Sequence, residues 1–306
     1  MAEVPYRRVH VVINPASGKD EPILNVLNDT FRRHGVTWDA SITHGYGDAK
    51  TQATAAIADG VDLVAGYGGD GTQHEIANAV LGAATDLGRT TPMGILPGGT
   101  GNGFAREMGV PTTLAAAVEV LCTSPATRSI DVGWLRSIGE PQVDDRFFIQ
   151  RLYIGVEPEE QTSRELKDRY GVFAYAVSAV KQHVAPARAR YTVVVDGEVK
   201  EIEGSKAYVV NSGMMGTGLR VIHTYSIEDG LLDCFMLDDG NRESLIAAAE
   251  RLANLSTATA GKYFVQCRTI DIDTDPDQPV WADGEYLGRT PVEIEVLPSA
   301  LTVVVP

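Results

Sequence analysis

The stretch "GYGGDGTQHE", Gly66–Glu75, places four glycines and one aspartate within six positions, directly after the apolar run Val61–Ala65. Two more turns have the same character and also follow apolar runs: "NPASGK" (Asn14–Lys19) and "PGGTGNGFAR" (Pro97–Arg106). Glycine lets backbone N–H groups approach an anion and adopt positive φ, and a helix that starts just beyond adds partial positive charge. The chemistry this suggests is a phosphate cradle built of backbone rather than of basic side chains. Thr72 and Glu75 have capping-box spacing ahead of Ile76, Val80 and Leu81, which marks a helix start. Read alone, "NPASGK" is equally a tight strand-to-helix connection. "GYGGDG" matches G-x-G-x-x-G, but the acidic residue expected at the end of the next strand is missing, and no Walker A sequence occurs in the chain.

The positions around these turns alternate strand and helix signals. Strands are expected at Val9–Ile13, Val36–Thr43, Val61–Ala65 and Met93–Leu96. Helices are expected over Ile23–Phe31 with Gly35 as the stop, and over Ala49–Ala58, Thr72–Leu81 and Thr112–Leu121. Fully apolar strands in repeated β-α units imply a parallel sheet covered on both faces, with the glycine turns at the strands' carboxyl ends, where ligands of open α/β folds bind. From about Ser129 the pattern becomes β-rich. "RYTVVVDGEVKEIEG" reads as a hairpin around Asp196-Gly197, and further strands are expected at Ala207–Asn211, Leu232–Leu237, Thr269–Asp273, Pro291–Val296 and Leu301–Val305. Helices at Glu165–Val184 and Arg242–Leu255 interrupt them. The expected organisation is an α/β nucleotide-binding domain over 1–129 and a β-sandwich-rich domain over 130–297, with the tail 298–306 packing back on the first.

Bulk composition narrows the functional classes. The 306 residues carry a net charge of −15, which argues against a nucleic-acid partner, whose phosphates need Lys and Arg. The 3 cysteines, Cys122, Cys234 and Cys267, fit neither a disulfide framework nor a zinc site and read as reduced thiols of a cytoplasmic protein. No apolar run approaches the roughly 18 residues of a membrane span, so membrane contact is expected to be peripheral, at the inner face. The histidines show no metal-ligand spacing, and solvated or hydrogen-bonded roles are expected for them.

The three turns, in this order, resemble the diacylglycerol kinase catalytic domain family, which includes bacterial soluble lipid kinases and the sphingosine and ceramide kinases. The likeness continues through "SIDVGWL", "IEDGLLD" and "WADGEYLG" and covers nearly the whole chain. It implies an ATP-dependent kinase that phosphorylates a lipid hydroxyl at a membrane surface. It places ATP against Asn14, Ser17, Gly18, Lys19, Thr43, Gly69, Asp70, Gly71, Thr72, Glu75 and Thr100, all glycines, small hydroxyls, amides or charged groups suited to a nucleotide phosphate site. It groups Asp70, Asp131, Asp283 and Glu285 as catalytic carboxylates, with Glu285 the general base and Asp70 serving the metal and phosphates. It marks Asp229 as the carboxylate of a structural Mg²⁺ site completed by backbone carbonyls of Ser226 and Leu231, oxygen chemistry that suits this ion.

Three positions depart from the family pattern. His74 replaces a residue usually Asn, Gly103 stands where bacterial diacylglycerol kinases typically have Asp, and Arg151 of "FIQRLYIGVEPE" stands where an uncharged residue is common. Two other readings stay open. A NAD kinase-like enzyme would carry its own glycine-rich nucleotide motif after "GGDGT". A non-catalytic nucleotide-binding regulator would keep the cradle and lose the chemistry, against which stand Asp70, Asp283 and Glu285. Exposed β edges in the second domain leave room for a homodimer.

Overall fold

Val9, Val11, Val12 and Ile13 are all buried in the first strand, and every residue of Leu63–Gly68 and Met93–Pro97 is buried in the third and fourth, as strands covered on both faces require. The computed structural model describes residues 4–17, 20–139, 141, 146–155, 188–212, 214–215, 219–220, 226–237 and 263–306. The expected helices at Glu165–Val184 and Arg242–Leu255 lie outside these residues, as do Gly18 and Lys19. The chain divides into two units, one of residues 1–130 with 299–306 and one of residues 131–298.

In the first unit the order is β1 (Arg8–Ile13), α1 (Ile23–His34), β2 (Thr37–Ile42), α2 (Asp48–Ala58), β3 (Leu63–Gly68), α3 (Asp70–Leu87), β4 (Met93–Pro97), α4 (Gly103–Glu107) and α5 (Leu114–Thr123). The strands pair in parallel in the order β2-β1-β3-β4. Helices α1 and α5 pack together on one face, and α2 and α3 on the other. Gly35 ends α1 in the left-handed region at φ 72°, its N–H donating to the carbonyl of Arg32. Strand β2 is an edge, and polar residues blunt it: His10 of β1 bonds Asp39 and, at 2.9 Å, Ser41. His34 of α1 bonds Glu119 at 2.7 Å. Helix α3 is buried on almost every side from Thr72 to Leu81, which makes it the central helix of this unit.

The second unit is a sandwich of two antiparallel sheets. Its elements are β5 (Thr127–Ile138), β6 (Phe147–Phe148), β7 (Arg151–Ile154), β8 (Ala189–Val195), β9 (Glu198–Gly204), β10 (Lys206–Val210), the two-residue pair β11 (Met214–Met215) and β12 (Leu219–Arg220), β13 (Leu232–Leu237), β14 (Tyr263–Cys267), β15 (Thr269–Asp275), β16 (Pro279–Ala282), β17 (Glu285–Arg289) and β18 (Val292–Val304). One sheet runs β18-β15-β8-β9, with β5 beside β18; the other runs β14-β13-β10-β7-β16-β17. Tyr191, Val193, Ile270, Ile272 and Ile294 of the first meet Leu152, Ile154, Val209, Cys234, Val280 and Leu287 of the second in one core. The opposite face of the second sheet carries an aromatic row, Phe235, Tyr208, Tyr153, Trp281 and Tyr286, one residue per strand, with Tyr208 and Phe235 stacked at 4.8 Å.

Two sequence expectations change. The strands expected at Pro291–Val296 and Leu301–Val305 are one strand, β18, which continues through Ser299 at φ 52°. Its end belongs to the first unit, where Val303 pairs with Met93, and Val305 holds the β5 approach through Ala126 and Ser124. Strand β5 begins at Thr127, ahead of the expected change of pattern. The cysteines are free and buried, and burial pushes the Cys122 and Cys267 thiols up to about 12, so none is a reactive thiolate.

Gly133 of β5 lies opposite Phe148 of β6, and a Cβ there would run into the buried phenyl ring. We expect Gly133→Ala to lower stability by about 1–3 kcal/mol, the usual cost of overpacking a filled core. Thermal unfolding checks this, and an unchanged melting temperature contradicts it.

Candidate functional site

The three glycine turns leave the carboxyl ends of β1, β3 and β4 and are tied to one another. Asn14 is the first knot: its N–H donates to the Tyr67 carbonyl at 2.9 Å, and its side-chain Nδ2 donates to Thr72 Oγ1 at 2.9 Å. Its Oδ1 and carbonyl oxygen accept from Ala16 N–H and Ser17 Oγ, closing the 3-10 turn Pro15–Ser17. The second knot joins the other two turns. Gly98 N–H donates to the Gly68 carbonyl at 2.9 Å, and Gly99 packs so closely on Gly69 that a Cβ would sit 2.7 Å from the Gly69 Cα. A Cβ on Gly98 would lie 2.8 Å from Ser17 Oγ and from the Tyr67 ring, and one on Gly68 would overlap Thr72. The glycines are therefore present for close approach. None of Gly66, Gly68, Gly69 and Gly71 has positive φ, and Gly71 lies in the first turn of α3, so of the two reasons expected for glycine here positive φ does not apply.

The capping box is corrected too. Helix α3 starts at Asp70 with Gly69 as its N-cap and no side-chain cap. Thr72 serves Asn14, and the buried Glu75 carboxylate accepts from the N–H groups of Ala49 at 3.0 Å and Lys50 at 3.4 Å, capping α2 instead. Asp70 does similar work for α4. Its two oxygens accept the N–H groups of Gly103 and Phe104, both at 3.0 Å, so one carboxylate fastens the "PGGTGNGFAR" turn to the start of α3. Asn102, at φ 48°, closes the turn internally by accepting from Gly99 N–H at 3.0 Å. Thr43, buried at the end of β2, donates its N–H to Ile13 beside Asn14, and Thr100 is exposed on the third turn. Asn14, Ser17, Gly69, Asp70, Gly71 and Thr72 thus gather at one edge of the parallel sheet; Gly18 and Lys19 lie outside the described residues.

In the second unit, Asp283 and Gly284 form the two-residue turn between β16 and β17, with φ 49° and 99°. Positive φ at both centres is the hairpin geometry that matches strand twist. The Asp283 carboxylate is held by three backbone N–H groups, from Ile149 at 2.8 Å, Gln150 at 3.0 Å and Arg151 at 2.8 Å. Glu285, half-buried, opens β17 immediately after this clamped turn. Asp131, buried at 1% exposure, accepts Gly230 N–H at 2.6 Å and so grips the turn that contains Asp229. Within that turn Asp229 Oδ1 accepts Leu231 N–H at 3.0 Å and Ser226 Oγ accepts Glu228 N–H at 3.2 Å. Among the described residues no cluster of three His, Cys, Asp or Glu could hold a metal, so any ion at Asp229 would depend on carbonyl oxygens. The neighbouring Asp233 is buried, which pushes its carboxyl up to about 7, opposed by a hydrogen bond from Gln266 and reinforced by Asp229. The Arg151 guanidinium donates to Gln150 Oε1 at 2.8 Å.

Sequence reasoning missed Asn211 altogether. It is buried, and its Nδ2 donates to the carbonyls of both Asp131 and Ile149. Nothing in one sequence distinguishes it from any strand-end asparagine. For Asp70, whose clamp the structure defines, we expect Asp70→Ala to lower stability by about 1–3 kcal/mol, because two N–H groups lose a charged acceptor. Chemical denaturation measures this, and an unchanged midpoint contradicts the clamp.

Comparison with known proteins gives a consistent result. Residues 8–135 match the diacylglycerol kinase catalytic domain, and residues 151–305 match the YegS C-terminal NAD kinase beta sandwich-like domain. A Staphylococcus epidermidis protein whose name assigns it, provisionally, as a lipid kinase is 31% identical over 79% of this chain and 76% of its own. A protein named diacylglycerol kinase from Staphylococcus saprophyticus is 26% identical over 93% of this chain and 91% of its own. A crystal structure described as a diacylglycerol kinase from Bacillus anthracis superposes with a TM-score of 0.78 at 24% identity, covering 98% of this chain and 97% of that one, which shows the shared fold. Two matched domains, and a relative 31% identical over most of both chains, lead to one conclusion: the chain belongs to the diacylglycerol kinase catalytic domain family.

Proposed function

We propose that the protein is an ATP-dependent lipid kinase that transfers the γ-phosphoryl group to a hydroxyl of a glycerolipid or sphingoid lipid. The observation that carries this reading is the set of three pinned glycine turns at the carboxyl ends of parallel strands, where N–H groups and the start of α3 suit a nucleotide's phosphates. Loop phosphates need backbone access, and Gly68, Gly69, Gly98 and Gly99 add no side chains of their own to these turns. In this reading Asn14, Ser17, Gly69, Gly71, Thr72 and Thr100 hold the nucleotide with Gly18, Lys19 and Thr43. Asp70 and Glu75 shape the turns and helix starts around it. The acceptor hydroxyl gives its proton to Glu285 as its oxygen attacks the γ-phosphorus, ADP leaves, and Asp283 and Asp131 keep the hairpin and its neighbouring turn in place.

Mg²⁺ bound with the nucleotide would supply charge neutralisation during transfer. A second, structural Mg²⁺ fits the Asp229 turn: one carboxylate with carbonyls of Ser226 and Leu231 is an all-oxygen donor set, which this hard cation prefers. The lipid would be met at the inner face of a membrane, by a chain in which no described helix is long and apolar enough to cross one.

Two measurements test these assignments. Glu285→Gln keeps shape and removes basicity, so lipid phosphorylation at saturating ATP should fall roughly 10²–10⁴-fold with KM for ATP nearly unchanged. A rate within a few-fold of the parent's removes Glu285 as the base. For the structural ion, added Mg²⁺ without nucleotide should raise the melting temperature of the parent and not of Asp229→Ala, because a ligand bound only to the folded state stabilises it. An equal shift in both reduces the Asp229 turn to an ordinary turn.

A further inference from the structure

We propose that Asn211 is a positioning residue for catalysis: its side-chain amide ties the Asp131 strand to the Ile149–Arg151 turn, whose N–H groups hold Asp283 and thereby the hairpin that carries Glu285. The chain of contacts is continuous. Gly230 N–H donates to Asp131 Oδ2 at 2.6 Å, and Asn211 Nδ2 donates to the Asp131 carbonyl at 2.8 Å and to the Ile149 carbonyl at 2.9 Å. The Asn211 and Ser212 N–H groups both donate to the Gln150 carbonyl, at 2.8 and 3.0 Å. The N–H groups of Ile149, Gln150 and Arg151 then converge on the Asp283 carboxylate, and Asp283 N–H returns to the Arg151 carbonyl at 2.9 Å. Two separate segments, at Asp131 and at 149–151, therefore share one buried amide as their junction, and Asp131 joins a third, 226–231, to it.

The chemistry of that amide argues against a role in stability alone. Asn211 is 1% exposed, and among the described residues its Oδ1 has no hydrogen-bond partner. A buried carbonyl left unpaired costs about 1–3 kcal/mol, which offsets part of what the two Nδ2 bonds contribute to stability. What only an amide of this length supplies is two N–H donors in one plane, aimed at carbonyls of two different segments. Because a displacement of about 1 Å at a reacting group can cost 10²-fold in rate, a junction that fixes the base's hairpin acts on turnover without touching substrate.

The inference rests on Glu285 being the base, and the test separates the two. Asn211→Leu keeps the branched shape, though it is bulkier, and removes both donors; Asn211→Ser, which is smaller and replaces the two N–H donors by one short O–H, serves if the leucine variant does not fold. Hydrogen exchange reads the linkage without any activity: the amides of Ile149, Gln150, Arg151 and Asp283 should exchange about tenfold faster than in the parent, while those of the first unit are unchanged. Kinetics reads the consequence: kcat for lipid phosphorylation should fall by about 10²-fold with KM for ATP unchanged. Parent-like exchange at those amides overturns the linkage. Faster exchange with parent-like kcat overturns the catalytic role. A parent that phosphorylates no lipid defeats the lipid-kinase reading, and the exchange measurement still decides whether Asn211 holds the turn.

Discussion

Gly69 and Gly99 meet backbone to backbone, with no room for a Cβ on Gly99, and the glycine turns of the first unit are arranged around that contact. It can exist only if the ends of β3 and β4 are in register, which their parallel pairing from Val64 with Met93 to Gly68 with Pro97 provides. Once the two turns touch, polar side chains lock them. Asn14 reaches Thr72 from the first turn, and Asp70 takes the amides of Gly103 and Phe104 in the third. The bare backbone is thus a packing requirement first, and the surface it leaves, N–H groups without side chains above them, is what a phosphate chain needs.

The second unit uses the same device of a carboxylate holding backbone amides, and in the proposed function its result is the presentation of one carboxylate, Glu285. Asp283 in left-handed conformation, clamped by three N–H groups, sets where β17 begins and so where Glu285 emerges. Asp131 does this for the Asp229 turn. Of the carboxylates that the motifs single out, Asp70, Glu75, Asp131 and Asp283 all accept backbone N–H groups, whereas Glu285 follows the turn that Asp283 holds. Such bonds hold loops more firmly than neutral hydrogen bonds do, because a charged acceptor makes each one stronger than a neutral pair.

The parallel sheet was legible because β3 and β4 carry no charged residue, β1 is apolar but for Arg8 and His10, and the glycines fall where those runs stop. The hairpins at Asp196-Gly197 and its fellow at Asp283-Gly284 follow from a dipeptide that tolerates positive φ twice. What the sequence could not show was the partner of each polar side chain. Glu75 has the spacing of a capping residue for its own helix and caps α2 instead, because α2 and α3 lie side by side and its carboxylate is nearer the open N–H groups of Ala49 and Lys50. Asp70 lies 33 residues from the Gly103 amide it holds, and Asn211 80 from Asp131, separations at which only the fold makes neighbours. The break expected near Leu297-Pro298 did not end the strand, since β18 bends through Ser299 and continues.

The central claim is that the glycine cradle and Glu285 together move a phosphoryl group from ATP to a lipid hydroxyl. The most direct measurement incubates the intact protein with γ-labelled ATP, Mg²⁺ and mixed micelles containing diacylglycerol, monoacylglycerol, a sphingoid base, ceramide or phosphatidylglycerol, with NAD as a water-soluble acceptor in parallel. The account predicts label in the organic extract with at least one lipid and none in NAD. Label in NAD, or nucleotide bound without transfer to any acceptor, would contradict it.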